Sequence, residues 1–517
     1  MELVRKNIHM DYTKASASTQ FVVEDDINLS DTKPDVDCIC LEKGTIIIDE
    51  VKGMENGAIV RGRLMFAVLY HTEEENKALA VMEGKIPFEE KLYMQGVDSG
   101  DALKAKGNIE DLSVGIINSR KLSVQSVINL TVKAEDIYDE EVPIGIHGAE
   151  GVEYCRTPIE IAQIAVDKND IFRIREEVTL PGNYPNLFEI LWSTMNLDDV
   201  EIRPLGDKLS IQGDLRILLI YESDEETIRS MESVVPFSGN IDCYGCQEGM
   251  IADIDYHIAG QEISIRPDND GEERVIAVET VLELGIKLYE EAKVELITDV
   301  YGVAQEVETE DKKAVLRNLL GKNTGKIKVA EHVRIGAKNS SIMSLLHSEG
   351  NICLDKKEMK ENALRLAGTV QLQVLYISGD DRKPYDVLKT QIPFQYEMEL
   401  PGAMPEDSAE VQATLEQLQI TILDGAELDV RAVPVFRVTA FRQKEQNLVG
   451  AVKTSPLDVK KLGSLPGMVV YVVKPGDSLW SIGKKYYVSV DRLKQLNNLT
   501  SEVLQPGQKL LIVKEGL

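Results

Sequence analysis

Cysteine is scarce in this sequence. Six residues in 517 (Cys38, Cys40, Cys155, Cys243, Cys246 and Cys353) exclude a disulfide framework and suit a reducing compartment. Long apolar runs are missing too. None reaches the roughly 18 residues of a membrane-spanning helix, and the longest, such as Leu215-Arg216-Ile217-Leu218-Leu219-Ile220-Tyr221, have strand length. The opening residues 1–12 lack the apolar core and small-residue cleavage site of a secretory signal, so a cytoplasmic address is expected. Basic residues are outnumbered, 57 Lys and Arg against 87 Asp and Glu, for a net charge of −30. That balance repels polyanions and argues against nucleic acid as a partner.

Catalytic motifs are absent as well. The six histidines form no His-Glu-x-x-His pair, and no Gly-x-Ser-x-Gly elbow occurs. Cys243-Tyr244-Gly245-Cys246 has half-zinc or redox spacing but no second pair, which points to chance or a local structural role. In Leu320-Gly321-Lys322-Asn323-Thr324-Gly325-Lys326 the glycines stand too close for a phosphate loop and Ile327 replaces the needed hydroxyl, so an exposed turn before a strand is expected. Acid-rich stretches such as Asp268–Glu273 do not follow a calcium-loop spacing. The sequence therefore implies no enzyme activity, no metal and no cofactor.

What is present is repetition, with a period of about 150 residues. Gly62-x7-Tyr70, Gly213-x7-Tyr221 and Gly368-x7-Tyr376 frame strands whose even positions are apolar: Leu64, Phe66, Val68; Leu215, Ile217, Leu219; Val370, Leu372, Val374. Period two marks half-buried strands. Each is followed by an apolar-Pro-Phe triplet, Ile86-Pro87-Phe88, Val235-Pro236-Phe237 and Ile392-Pro393-Phe394. Proline lacks a ladder donor, so these belong on edge strands or strand ends. The first two copies share an upstream proline, Pro34 and Pro185, where the third has Ser340. Downstream, Leu122–Val132 aligns with Ile276–Ile286 and with Leu428–Val438, after turns at 118–121, 267–271 and 424–427 that predict hairpins. The apolar runs Leu187–Leu191 and Ile342–Leu346 suggest one helix per copy.

The tail differs. From Val469 to Leu517 it has seven Lys or Arg against four Asp or Glu, a local charge of +3 on an acidic body. Val469–Val473 reads as a strand, Asp477 as the cap of a helix carrying Leu479, Ile482 and Tyr486, and Ser489 as the cap of a second with Leu493 and Leu496. Lys509–Val513 closes a strand-helix-helix-strand order. Trp480, Ile482 and Leu493 are expected in its core.

These tail motifs, Gly-Asp-Ser-Leu-Trp-x-Ile, Leu-Asn-Asn-Leu and Pro-Gly-Gln-Lys-Leu, closely resemble the LysM module, apart from Gly483, where many LysM modules carry Ala. The resemblance implies a groove formed by Gly476, Asp477, Ser478 and Leu479 facing Asn498, Leu499, Thr500 and Ser501. The repeats, with the Asp31-Thr32-Lys33-Pro34-Asp35-Val36 opening, resemble the SPOCS domain of endospore-forming bacteria. The expected fold is mainly β: three tandem antiparallel sandwich-like or open-barrel repeats at 20–145, 165–300 and 318–445, a linker at 446–467, and a LysM domain at 468–517. SPOCS units with a terminal LysM resemble a spore-coat morphogenetic family acting in the mother-cell cytoplasm at the forespore surface. What this implies is a non-enzymatic adaptor whose LysM docks on the coat-scaffold ATPase, stage IV sporulation protein A, and which meets other coat proteins. Exposed Lys484, Lys485, Arg492 and Lys494 would steer toward an acidic partner. The alternative is a protein that binds N-acetylglucosamine-containing glycan, targeted to cell wall or cortex.

Overall fold

A computed structural model describes residues 1–73, 78–148, 150–336, 341–380, 383–456 and 467–513. Each repeat is a pair of antiparallel sheets. Repeat 1 has β1 (Glu2–Asn28), β2 (Cys38–Met54), β3 (Gly57–His71), β4 (Leu79–Tyr93), β5 (Leu103–Asn118) and β6 (Lys121–His147), with sheet orders β1-β6-β5 and β2-β3-β4. Repeat 2 copies this with β7 (Val152–Thr179), β8 (Leu187–Leu205), β9 (Lys208–Ser223), β10 (Ile228–Asp242), β11 (Ile251–Pro267) and β12 (Glu273–Gly302), ordered β7-β12-β11 and β8-β9-β10. In repeat 3 the first strand is split into β13 (Gln305–Lys326) and β14 (Val329–Arg334); β15 (Ile342–Lys360), β16 (Ala363–Ser378), β17 (Tyr385–Glu399), β18 (Ser408–Asp424) and β19 (Glu427–Pro456) complete it.

The repeated landmarks are partners of one another. Gly62 pairs across the ladder with Phe88, Gly213 with Phe237 and Gly368 with Phe394. The phenyl ring lies over the glycine: a Cβ on Gly62 would stand 2.6 Å from Phe88 Cζ, and one on Gly368 would stand 3.0 Å from Phe394 Cζ. The prolines beside these phenylalanines sit on β4, β10 and β17, each an edge strand as the missing donor requires. Even positions of β3, β9 and β16 are buried between the two sheets. The buried tyrosines close the same interior. Tyr70 Oη donates to the Pro34 carbonyl at 3.1 Å and Tyr221 Oη to that of Pro185 at 3.4 Å. Tyr376 Oη instead donates to Asp386 Oδ2 at 3.0 Å; Ser340 lies outside the described residues.

Three expectations need correction. Leu187–Leu191 and Ile342–Leu346 begin strands β8 and β15, not helices. Bulges at Leu187/Glu189, Ile190/Trp192, Ile342/Ser344 and Leu345/His347 insert extra residues, so that inward side chains recur at irregular intervals resembling a helical period. Leu320–Lys326 lies within β13, paired to β19, not in an exposed turn. The segments left outside the repeats, 1–19, 146–164 and 301–317, are largely strand, and strand continues through the first half of the expected linker to Pro456. Their partners are remote: Ile8 faces Glu140, Ile159 faces Val294, and Glu310 faces Ala451. The second half of that linker, 457–466, lies outside the described residues.

These extensions join the repeats. The ribbons β1/β6, β7/β12 and β13/β19 share one core of Ile8, Met10 and Val142, Ile159, Ile161, Val294 and Leu296, and Ala314, Leu316 and Leu448. Beside it Asp11 of repeat 1, 8 % exposed, accepts from Lys287 at 3.1 Å and Tyr289 at 3.0 Å of repeat 2, and from Arg317 of repeat 3. The Arg317 guanidinium covers Phe441 at 3.6 Å. A second junction gathers Leu41 and Leu69, Trp192 and Ile220, and Leu346 and Leu375. Leu69, Ile220 and Leu375 immediately precede the landmark tyrosines and face away from their own repeat's interior.

Candidate functional site

The C-terminal module has the expected order: β20 (Met468–Val472), α1 (Leu479–Tyr486), α2 (Val490–Leu496) and β21 (Lys509–Val513), with β20 and β21 antiparallel. Its core is Val473, Leu479, Ile482, Val488, Leu493, Leu510 and Ile512. Alternation puts Val469 and Tyr471 against this core and turns Met468, Val470 and Val472 outward, the last three exposed by 64, 63 and 49 %.

The expected groove residues lie in the loop leading into α1 and its first residue, and in the loop after α2. Gly476 turns at φ +90°, a conformation that favours glycine. Asp477 accepts from the Lys474 amide at 2.7 Å and from Tyr471 Oη at 2.8 Å, and these two donors hold its carboxyl below the usual range. Asp477 is therefore not the helix cap. Ser478 is: its hydroxyl accepts from Ser481 N at 3.0 Å while Ser481 Oγ accepts from Ser478 N at 2.9 Å, a reciprocal capping box. Ser489 caps α2 as expected, accepting from Arg492 N. Gly476 and Ser478 are exposed, whereas Leu479 is 2 % exposed and belongs to the core. In the loop after α2, Asn498 (φ +49°), Thr500 and Ser501 are exposed and Leu499 half-buried. The neighbouring Asn497 is structural, bridging Leu493 O and both backbone groups of Leu511.

Trp480 departs from expectation. It is not in the module core but at a contact with repeat 2, its Nε1 donating to Asp299 Oδ2 at 2.8 Å and its ring edge-on to Tyr301 at 4.7 Å. Lys484 pairs with Asp299 at 2.6 Å, and Tyr301 Oη donates to Val488 O at 2.9 Å. Gly483 allows this approach, since a Cβ there would meet Tyr301 Oη at 2.5 Å, besides crowding Val488 O of the module itself at 2.7 Å. The departure from Ala noticed in the sequence thus marks the docking face. Two further cations are engaged within the module, Lys485 over the Tyr471 and Tyr486 rings and Lys494 with Glu502. Arg492 remains exposed.

Elsewhere, Cys243 and Cys246 are buried in the core of repeat 2, and burial pushes both thiols up. Met94 and Val97 in repeat 1, and Leu400 and Ala403 in repeat 3, make the same backbone turn and are equally buried. The pair is an apolar anchor. A cluster that sequence reading did not bring together is Asp37, Cys38 and His71, whose donor atoms lie within 4.8 Å of one another. The residues stand 33 positions apart and meet because Cys38 is the cross-strand partner of His71.

Comparison with known proteins agrees with this architecture. The LysM domain family matches residues 471–513, and the family described as SipL, SPOCS domain matches 35–117, 187–266 and 341–423. The N-acetylmuramoyl-L-alanine amidase sle1 of Staphylococcus saprophyticus is 42 % identical over 69 residues, 13 % of this chain and 21 % of that protein. Its counterpart in Staphylococcus aureus strain USA300 is 35 % identical over 65 residues, 13 % of this chain and 20 % of that protein. The chain spans about a fifth of the length of these curated relatives, the likeness being confined to the LysM region. No solved structure matches. No described helix is long and apolar enough to cross a membrane. Three SPOCS domains closed into one body with a LysM domain seated on it give the chain the SipL-like combination of SPOCS and LysM domains.

Proposed function

We propose that this protein is a non-enzymatic adaptor of spore-coat assembly, working in the mother-cell cytoplasm at the forespore surface. Its LysM module docks on the coat-scaffold ATPase, stage IV sporulation protein A, and the SPOCS body meets other coat proteins. Support comes from the combination of matched modules, both of them binding modules. Six cysteines standing as free thiols suit a cytoplasmic setting. The observation that carries a protein partner is the outward face of β20, where Met468, Val470 and Val472 are exposed beside Lys474 and Lys509. Apolar side chains rimmed by charge suit a protein surface better than a hydroxyl-rich glycan.

Glycan binding is the second reading, favoured by the likeness of the LysM region to amidases named for N-acetylmuramoyl-L-alanine. Its ligand would occupy Gly476, Asp477, Ser478 and Leu479 opposite Asn498, Leu499, Thr500 and Ser501. Binding of the full chain to purified ATPase and to chitin and peptidoglycan fragments separates the two. Val470→Glu is expected to weaken ATPase binding by at least about tenfold, the effect of one lost contact of about 1.4 kcal/mol. Saturable binding to glycan with none to the ATPase overturns the adaptor reading.

A further inference from the structure

The cluster of Asp37, Cys38 and His71 at the pole of repeat 1 has no role in the adaptor reading. It is not demanded by the fold. The same cross-strand pair is Cys38–His71 in repeat 1, Glu189–Glu222 in repeat 2 and Ser344–Ile377 in repeat 3. A strand pair that folds equally well with carboxylates or with serine and isoleucine does not need a thiol facing an imidazole. The residue before each is Asp37, Phe188 and Met343, so the donor set is complete in repeat 1 alone.

The local geometry is that of a site held from several sides. Asp37 Oδ2 lies 2.9 Å from His71 Nδ1, and the Asp37 amide donates to the His71 carbonyl at 2.9 Å. The His71 side chain is 13 % exposed and its ring packs 5.9 Å from Tyr385 of repeat 3. Cys38 is half-buried, and Cys40, two residues on, is buried in the junction where the three repeats meet. The Lys383 ammonium is paired with Asp386.

We propose that Asp37 Oδ2, Cys38 Sγ and His71 Nδ1 form a three-ligand site for a zinc-type divalent cation, with a fourth position open to solvent. One thiolate, one imidazole and one carboxylate suit zinc, whose ligands lie about 2.0–2.3 Å from the metal and hence roughly 3.5 Å from each other in a tetrahedron. Donors already within 4.8 Å reach that distance by side-chain rotation, chiefly of the exposed Asp37. Bound metal would clip the start of β2 to the end of β3, beside the contact with repeat 3.

The test uses the full chain, stripped with chelator and titrated with Co²⁺, whose thiolate complexes absorb in the near ultraviolet, and with Zn²⁺ in competition. One equivalent per chain with a thiolate-to-cobalt band is expected. Cys38→Ser should abolish the band and His71→Ala should weaken binding by at least about tenfold, since even outer-shell partners carry that much. Cys243→Ala should leave both unchanged. Unfolding temperatures of the metal-free variants, compared with metal-free wild type, separate loss of the site from loss of the fold. Absence of a thiolate band, or a band that survives Cys38→Ser, overturns the proposal.

Discussion

At the scale of single residues, Gly483 shows how one missing methyl group places a whole module. Alanine there would favour the isolated helix by about 1 kcal/mol. In the full chain it would drive a Cβ into Tyr301 Oη and Val488 O. Gly483→Ala is therefore expected to release the LysM module from repeat 2. The chain has two tryptophans, and Trp192 is buried at a junction between repeats. Undocking thus appears as a red shift and easier quenching of Trp480 emission, with Trp480→Phe as the control; unchanged emission would show that the helix shifts to accommodate the methyl. The unusual Gly483 was legible in the sequence, but its reason was not, because Tyr301 lies 182 positions upstream.

At the scale of elements, the pairing of Gly with Phe across each central ladder accounts for both landmarks that define the repeat. A glycine leaves a gap in the pleat, and the facing phenyl ring fills it. Two opposite changes should then harm the same hairpin. Phe394→Ala opens a cavity in the core of repeat 3 and is expected to cost about 3–5 kcal/mol. Gly368→Ala overpacks it against Phe394 and the Cys353 carbonyl, with an expected cost of about 1–3 kcal/mol. Chemical denaturation of the two single variants and the double variant measures both; strict additivity would argue that the ring and the glycine do not share one space.

The strand alternation behind this pairing was readable because period two survives in β3, β9 and β16. It was not readable in β8 and β15, where bulges change the phase and mimic a helix. The LysM module was legible in much the same proportion. Its loops carry recognisable motifs, but which motif residues face solvent and which serve the core, as Leu479 and Asn497 do, depends on the packed strands and helices.

At the scale of the whole molecule, the repeats are not independent beads. Ile159, Ile161, Val294 and Leu296 of repeat 2 are covered by residues of repeats 1 and 3, so an isolated repeat would expose them. The Asp11 contact ties the same three units. Burial alone would raise the Asp11 carboxyl, but Arg317 and Lys287 outweigh it and hold the carboxyl below its ordinary value. A depressed folded-state value means stabilisation that is complete above the unfolded value of about 3.9 and is lost as pH falls through the lower, folded one. Asp11→Asn should flatten the acid limb of stability against pH in that window. Asp11→Ala leaves Arg317 and Lys287 without their shared carboxylate and is expected to cost about 3–5 kcal/mol, lowering a single unfolding transition of all three repeats; separate transitions would show that the junction does not couple them.

The sequence by itself determined the β class, the threefold repetition, the edge position of the prolines, and the strand-helix-helix-strand order of the tail. Each of these rests on local periodicity or on the fixed chemistry of glycine and proline, which neighbouring residues are enough to express. Tertiary structure alone decided how far the strands run, that the three repeats close around shared cores, that Trp480 and Gly483 face Asp299 and Tyr301, and that Asp37, Cys38 and His71 meet. These depend on contacts between residues tens to hundreds of positions apart, and a contact of that range leaves no period in either segment that makes it.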